Sequence, residues 1–487
     1  MVAGILLALQ GIKRKTFNIE SLSSGNKKTD GELILEAIRE TLDNSTIEDR
    51  KEVLSQKKRK IVLDRLSFVE TIPNLNEINA KLGKSPLKYY TEFLYDLFGG
   101  SRYFPQAFTN SAEDYLGRFY GEFMSYAGGD GQELGIVLTP KHITELFCDL
   151  LELTPDDKVI DPCCGTGGFL VAAMHKMLSQ TNDPEKQKNI RKNQLYGVEN
   201  QDKIFMVAVT NMILHGDGKA NLEFADFLTV TRPLKDPDNP SKEELDNIEK
   251  YKELNKKLRF CTVAMMNPPY SQDKKKGDDE QSEISFIERL LNSVGHGAKC
   301  AVIVPQSTMT GGNRKAQKQI KERILNNHTL EGVITLNPET FYGVGVMPCI
   351  AIFTAHERHP ENKICKFINF EDDGFKVAPH IGLIETPQAK SKKQHLLDVW
   401  FDKVEEQTKF CVKTTIEATD EWLHSFYYFN DEIPTEEDFD KTIGDYLTFE
   451  FAMIMQGREY LFADNQSFRQ PETGVGSSQN NQGDENE

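Results

Sequence analysis

Five short apolar runs recur through the middle of the chain: KVIDPCC (158–164), QLYGVE (194–199), LEFADF (222–227), TVAMMN (262–267) and AKCAVIVP (298–305). Each has the length of a buried strand, and spans of helical period separate them, as in 201–215, where Phe205, Val209 and Met212 share one face. Strands alternating with helices predict βαβ units, hence a parallel sheet with right-handed crossovers. Two further runs, GVITL (332–336) and CIAIFT (349–354), are joined by a short connection carrying Gly and Pro, which predicts a closing antiparallel pair at one edge. The expectation is a doubly wound α/β sheet of seven strands, the last antiparallel, with ligands at the strand C-termini.

The flanks differ from this core. Residues 1–110 are polar, with helical patterns and basic clusters at 13–15 (KRK) and 57–60 (KKRK), and carry no recognisable site. Within the core region, 111–358, the charged stretch 231–258 reads as a surface insertion with one helix, and SQDKKKGDDEQ (271–281) as a loop. Residues 359–462 form a mixed C-terminal extension. From 463 to 487 the composition of Gln, Asn, Gly, Ser and acid predicts disorder.

No apolar stretch approaches the roughly 20 residues a bilayer crossing needs. The apolar opening, MVAGILLALQ, precedes its basic residues instead of following them, so it is a poor secretion signal, and a cytoplasmic chain with no membrane partner is expected. The eight cysteines include no CxxC pair, which disfavours a zinc ribbon or a disulfide framework. HERH (356–359) lacks a third ligand, and no metal site is expected. The net charge of −17 argues against phosphate contact over the whole surface; if nucleic acid is the substrate, a local patch or a partner must supply positive charge.

DPCCGTGGFL (161–170) follows the first strand and opens an apolar helix. Glycines 165, 167 and 168 let the backbone turn tightly beside a ligand, and the helix start offers free N–H groups. Such a turn alone is weak evidence, since nucleotide, flavin and adenosyl ligands all use one. The residue after Gly168 is Phe169, not the Lys of a Walker sequence, and the dinucleotide GxGxxG spacing is missing. Glu199 ends the second strand, suited to accept from ribose hydroxyls, and Asp226 with Phe227 ends the third, suited to an amine and a purine face. A single strand-end acid is more often a helix cap. Glycine turn, Glu and Asp-Phe on three successive strands nonetheless describe an adenosyl pocket. Cys163 and Cys164, adjacent on a tight turn, make poor metal ligands and read as small buried fillers.

The fourth strand ends in MMNPPY (265–270). Tandem proline holds the backbone extended and removes two N–H groups. The Asn267 side-chain oxygen and the Pro268 carbonyl then form two acceptors suited to one exocyclic amino group. Tyr270 offers a flat face for a planar base, a contact worth roughly 1–3 kcal/mol.

Asn267-Pro268-Pro269-Tyr270 after the glycine turn resembles the amino-methylating DNA methyltransferases, and most of all the modification (M) subunit of type I restriction–modification systems, over about 114–354. GRFYGEFMSYAGG (117–129) and IVLTPKHITELF (136–147) are similar to the family's segment ahead of the glycine turn, and LNPETFYGVGVMPCIAIF (336–353) to its closing hairpin. The resemblance implies the class I S-adenosylmethionine-dependent methyltransferase fold, with a helical N-terminal region and a C-terminal extension. It implies S-adenosylmethionine as cofactor, held by Ile136, Val137, Leu138, Thr139, Pro140, Lys141, Asp161, Gly165, Thr166, Gly167, Gly168, Glu199, Asp226 and Phe227. The activity implied is adenine-N6 methylation at a specific DNA sequence, after the base is flipped from the duplex. Asn rather than Ser at 267 favours adenine N6 over cytosine N4 within the resemblance. The partners implied are double-stranded DNA, a separate specificity (S) subunit that reads it and a restriction (R) subunit, with 1–110 contacting partner or DNA and 359–462 a subunit. The acidity of the chain fits that division of labour. Enzymes that methylate a protein glutamine amide or a ribosomal RNA base also carry Asn-Pro-Pro-aromatic, but are usually smaller and lack the Thr-Pro segment.

Overall fold

The computed structural model describes residues 1–23, 27–43, 55–100, 108, 114–117, 138–217, 221–270, 282–310, 315–342, 345–378, 382–430 and 435–455. The seven expected strands form: β1 (Val159–Asp161), β2 (Leu195–Glu199), β3 (Leu222–Phe224), β4 (Val263–Met266), β5 (Lys299–Pro305), β6 (Thr329–Leu336) and β7 (Pro348–Thr354). The central ones are buried on both faces, as strands covered by helices on two sides must be.

Four further strands were not anticipated, two of them in the large sheet. β8 (Cys365–Phe370) pairs parallel with β6, and β11 (Cys411–Thr414) pairs antiparallel with β8; between them in sequence, β9 (Phe375–Ala378) and β10 (Gly382–Glu385) form a separate hairpin. The large sheet therefore has nine strands, in the order β11-β8-β6-β7-β5-β4-β1-β2-β3. β7 is antiparallel to both β5 and β6, as the sequence suggested. That pair does not close the sheet, however, because β8 covers the outer side of β6. For the same reason the sheet runs past residue 358, where the sequence reading ended the core region.

Alternation along each strand splits the core between the two faces. Val159 and Met265 belong to one apolar cluster, and Ile160, Ala264 and Met266 to the other. The first cluster also takes in Ile5, Leu6, Ile34, Leu35, Val62 and Leu66, so the N-terminal helices Val2–Arg14, Asp30–Asp43 and Gln56–Leu66 share a core with the sheet. The charged insertion carries the helix Lys242–Leu258, started by a capping box between Ser241 and Glu244.

The chain divides into two compact units, Met1–Tyr428 and Phe429–Glu487. The second contributes the helix Glu436–Met455. Residues 271–281 and 463–487, expected as loop and disordered tail, lie outside the described residues, as do Ile136, Val137 and most of 117–129. Among the described residues no helix is long and apolar enough to cross a membrane.

The register places the chemistry. Asp161 at the end of β1 stands opposite Gly197, Glu199 at the end of β2 opposite Phe224, and Met266, before Asn267, opposite Val302. The C-terminal edge of β3, β2, β1 and β4 therefore carries every acid and amide singled out above. The chain order reverses direction between β1 and β4, the place where a doubly wound sheet opens a crevice.

Candidate active site

A cleft opens at this edge. The predicted residues Leu138, Thr139, Asp161, Gly165, Thr166, Gly168, Glu199, Asp226, Phe227, Asn267, Pro268, Pro269 and Tyr270 all line it. Pro140 and Lys141 do not. Pro140 caps the helix Lys141–Leu150, and the Lys141 ammonium lies 3.8 Å from Glu145 one turn on. Gly167 also stands back from the cleft and shapes the turn from behind, where an added Cβ would meet Met212 at 3.7 Å.

The glycine turn is tied down from two directions. Gly165 and Gly167 have φ of +53° and +89°, conformations that side-chain-bearing residues rarely adopt, and Gly167 starts the helix Gly168–Ser179. The Gly165 N–H donates to Glu199 Oε2 at 3.1 Å, while Glu199 Oε1 accepts from the Gln201 N–H at 2.7 Å. The Asn200 N–H is a third backbone donor to the carboxylate, which with about four acceptor positions can hold the turn and still receive a ligand hydroxyl. Burial raises its pKa above the usual carboxylate range, with the backbone donors pulling the other way. Burial likewise lifts Asp161 well above its ordinary value; its Oδ1 accepts the Cys163 N–H at 3.1 Å.

The second tie is one the sequence did not reveal. Asp114 Oδ1 accepts from the Gly117 N–H and from Asn211 Nδ2, each at 2.7 Å, and its Oδ2 accepts from the Thr166 hydroxyl. Asn211 Nδ2 also reaches the Thr166 carbonyl at 3.0 Å. Asp114 thus joins the turn to the helix Asp202–Leu214. Its partners lie 52 and 97 residues away, and no local pattern marks it. Asn200, Gln201 and Phe286 line the cleft as well and were not foreseen.

Asp226 is the helix cap that a lone strand-end acid more often is, and it also faces the cleft. It caps the turn Phe227–Val230, with Oδ1 accepting the Leu228 N–H at 3.1 Å and Oδ2 the Thr229 hydroxyl at 2.6 Å. Burial raises the Cys163 and Cys164 thiols well above their ordinary values, helped by the neighbouring Asp161 and Glu199 carboxylates, so both remain protonated.

At the other end of the cleft, Asn267 Nδ2 donates to Thr139 Oγ1 at 3.0 Å. Tyr270 is 8% exposed and meets Phe341 edge-on, ring centroids 6.0 Å apart at 71°. Its ring is one wall of the cleft, and burial holds its hydroxyl protonated.

A model of the N-6 DNA Methylase family matches residues 111–433. The chain belongs to the N-6 DNA methylase family. This methylase is 45% identical over 464 residues to a Type II restriction enzyme and methyltransferase, RM.BcgI, of Heyndrickxia coagulans, covering 95% of the chain and 67% of that protein. It is 25% identical over 285 residues to the Type I restriction enzyme EcoEI methylase subunit of Escherichia coli, covering 55% of the chain and 52% of that subunit. The chain thus spans two thirds of one relative and about half of the other. A solved structure concerned with complex assembly and conformational transition of the type I R-M system superposes with a TM-score of 0.56 at 15% identity, covering 96% of this chain and 92% of that one. At that identity the match speaks for the fold. The expected class I methyltransferase fold and the resemblance to restriction–modification methylases are both borne out.

The methylase's cleft fits S-adenosylmethionine. The turn with two left-handed glycines leaves open space where Gly165 would carry a side chain, and the buried Glu199 stands across it with acceptor capacity to spare.

Proposed function

We propose that the chain transfers a methyl group from S-adenosylmethionine to adenine N6 in duplex DNA at a specific sequence, as the modification component of a restriction–modification system. The observation that carries this reading is the shared cleft: Glu199 and the glycine turn at one end, and Asn267-Pro-Pro-Tyr270 at the other. The glycine turn, Asp161, Glu199, Asp226 and Phe227 would hold the cofactor, with Leu138 and Thr139 beside its methionine end. When bound, it supplies an electrophilic methyl carbon on a sulfonium.

The chain's own part is to prepare the amine. Asn267 Oδ1 and the Pro268 carbonyl accept its two N–H groups, which draws the nitrogen away from conjugation with the ring and frees its lone pair. Tyr270 gives the flipped base a face to lie on, and the doubled proline keeps both acceptors from drifting. The amine nitrogen forms the bond to the methyl carbon and sheds one proton to water, the electron pair of the broken carbon–sulfur bond staying on sulfur.

Sequence reading and most phosphate contact fall to a separate subunit in the cytoplasm, in keeping with the net charge of −17. We assign its contacts to 1–110 and 359–462. Tyr89, Tyr90, Phe93 and Leu97 stand exposed on the helix Pro86–Leu97, apolar surface of the kind a partner covers.

DNA from cells expressing the chain with its neighbouring reading frames should carry N6-methyladenine within one recurring sequence. Base-resolution sequencing that finds unmodified adenine throughout overturns the proposal. The isolated chain should bind duplex DNA weakly until the partner is added; tight, sequence-specific binding by the chain alone refutes the division of labour.

A further inference from the structure

A carboxamide presents an acceptor on one side and a donor on the other, and a half-turn of the group exchanges them. Nothing within Asn-Pro-Pro-Tyr settles which side faces the substrate amine. The wrong orientation sets N–H against N–H, repulsive where the reaction needs attraction.

The structure shows the group in one of the two orientations. Asn267 Nδ2 donates to the hydroxyl oxygen of Thr139, 128 residues earlier in the chain, and both residues line the cleft. With the nitrogen engaged there, the carbonyl oxygen of the same amide is turned to the opposite side. Thr139 immediately precedes Pro140, the cap of the helix Lys141–Leu150, and that helix is anchored in turn. The His142 ring stacks on Phe375 at 3.9 Å and 18°, and burial lowers its pKa to about 4, so it packs there as a neutral ring. Its Nε2 lies 3.8 Å from Asp373 Oδ2, while Asp373 Oδ1 accepts from Asn337 Nδ2 at 2.8 Å and from the Phe375 N–H at 2.9 Å. Asn337 opens the turn Pro338–Phe341, which brings Phe341 against Tyr270. A bracket of contacts outside the motif thus runs from its asparagine round to its tyrosine.

We propose that Thr139 is a positioning residue for methyl transfer, its hydroxyl fixing the Asn267 amide so that Oδ1 meets the amine. The proposal rests on the reading of Asn267 as the amine's acceptor. It gives Thr139 a role beyond that of a cofactor contact, and it makes the segment ahead of the glycine turn part of the base clamp.

The test compares Thr139→Val, which keeps the shape and removes the hydroxyl, with Thr139→Ser, which restores it. The full chain is co-expressed with its neighbouring reading frames. Single-turnover methylation of duplex DNA is measured at saturating S-adenosylmethionine, with cofactor affinity by calorimetry and folding by thermal melting. Thr139→Val is expected to slow transfer at saturating cofactor about tenfold, the loss of one neutral hydrogen bond, beyond any change in cofactor affinity, with Thr139→Ser recovering most of the rate. An unchanged rate for Thr139→Val overturns the proposal. So does a defect that vanishes at saturating cofactor, or a serine variant as slow as the valine one. Absence of DNA methylation by the parent enzyme would instead sink the functional reading, and the positioning role with it.

Discussion

The two ends of the cleft are built differently. At the cofactor end the turn is held from several sides at once: Glu199 bonds Gly165 from the adjacent strand, Asp161 bonds Cys163, Gln201 closes on Glu199, and Asp114 reaches Thr166 from 52 residues earlier. At the base end the motif is short and stiff, but its side chains are set by remote segments, Asn267 by Thr139 and Tyr270 by Phe341. A cradle tied from several sides should survive the loss of one contact, whereas a clamp whose side chains are each set by a single remote contact should lose rate without losing cofactor. The two ends are therefore separable by mutation.

The largest effect should come from Asn267→Ala, with methyl transfer down roughly 10²–10³-fold, the scale of removing one preorganised polar group from a reacting centre. Cofactor affinity should persist in calorimetry; parallel loss of both would erase the separation. Next comes Glu199→Ala, expected to weaken S-adenosylmethionine binding by roughly 10–100-fold, because a charged acceptor is lost and its backbone donors are left behind. Glu199→Gln should be milder, since its amide oxygen can still accept. If either variant kept full affinity, Glu199 would leave the pocket.

The same carboxyl sets a pH dependence. Its pKa is raised by burial, and the ionised form is the better acceptor, so cofactor affinity should fall as pH drops through a value above the ordinary 4.5. Glu199→Gln should flatten that profile, and a parent profile flat down to pH 4.5 would contradict the assignment. Gly167→Ala forces a side chain into φ +89° and should cost about 1–2 kcal/mol of stability, read as a lower melting temperature. The smallest effect is expected from Phe341→Leu, which keeps most of the buried volume and removes the ring. Losing an edge-on ring contact worth about 0.5–1.5 kcal/mol should raise the KM for DNA severalfold while leaving cofactor binding alone. A cofactor defect there would mean the two ends are coupled after all.

The same contrast governs what could be read from the sequence. The seven strands were legible because each is a short β-rich run set between helical spans or beside a short Gly- and Pro-containing connection, and the glycine turn because positive φ selects for glycine. β8 and β11 were not. CKFINF interleaves Lys and Asn with its apolar residues, and CVKT is four residues long with a single buried position, too short to show a period. Glu199 and Asn267 could be placed because they end strands. What ties down the glycine turn and the Asn267 amide could not, since Asp114 and Thr139 act across long stretches of chain on partners that only the fold brings near. Asp226 shows a further limit, as one carboxylate can be a helix cap and a cleft wall at once, and no sequence signal divides the two.

The nine-stranded sheet must still end somewhere, and unpaired strand backbone invites docking by foreign strands. Its outermost members are short: β11 has four residues and β3 only three. Beside β3 stand Lys57 and Lys58 of the KKRK cluster, their ammonium groups 4.0 and 3.8 Å from Glu223 in the middle of that strand. A cluster that marked no site in the sequence thus has a place in the fold, setting two ammonium groups at the rim of the sheet, where charge discourages pairing by a foreign strand.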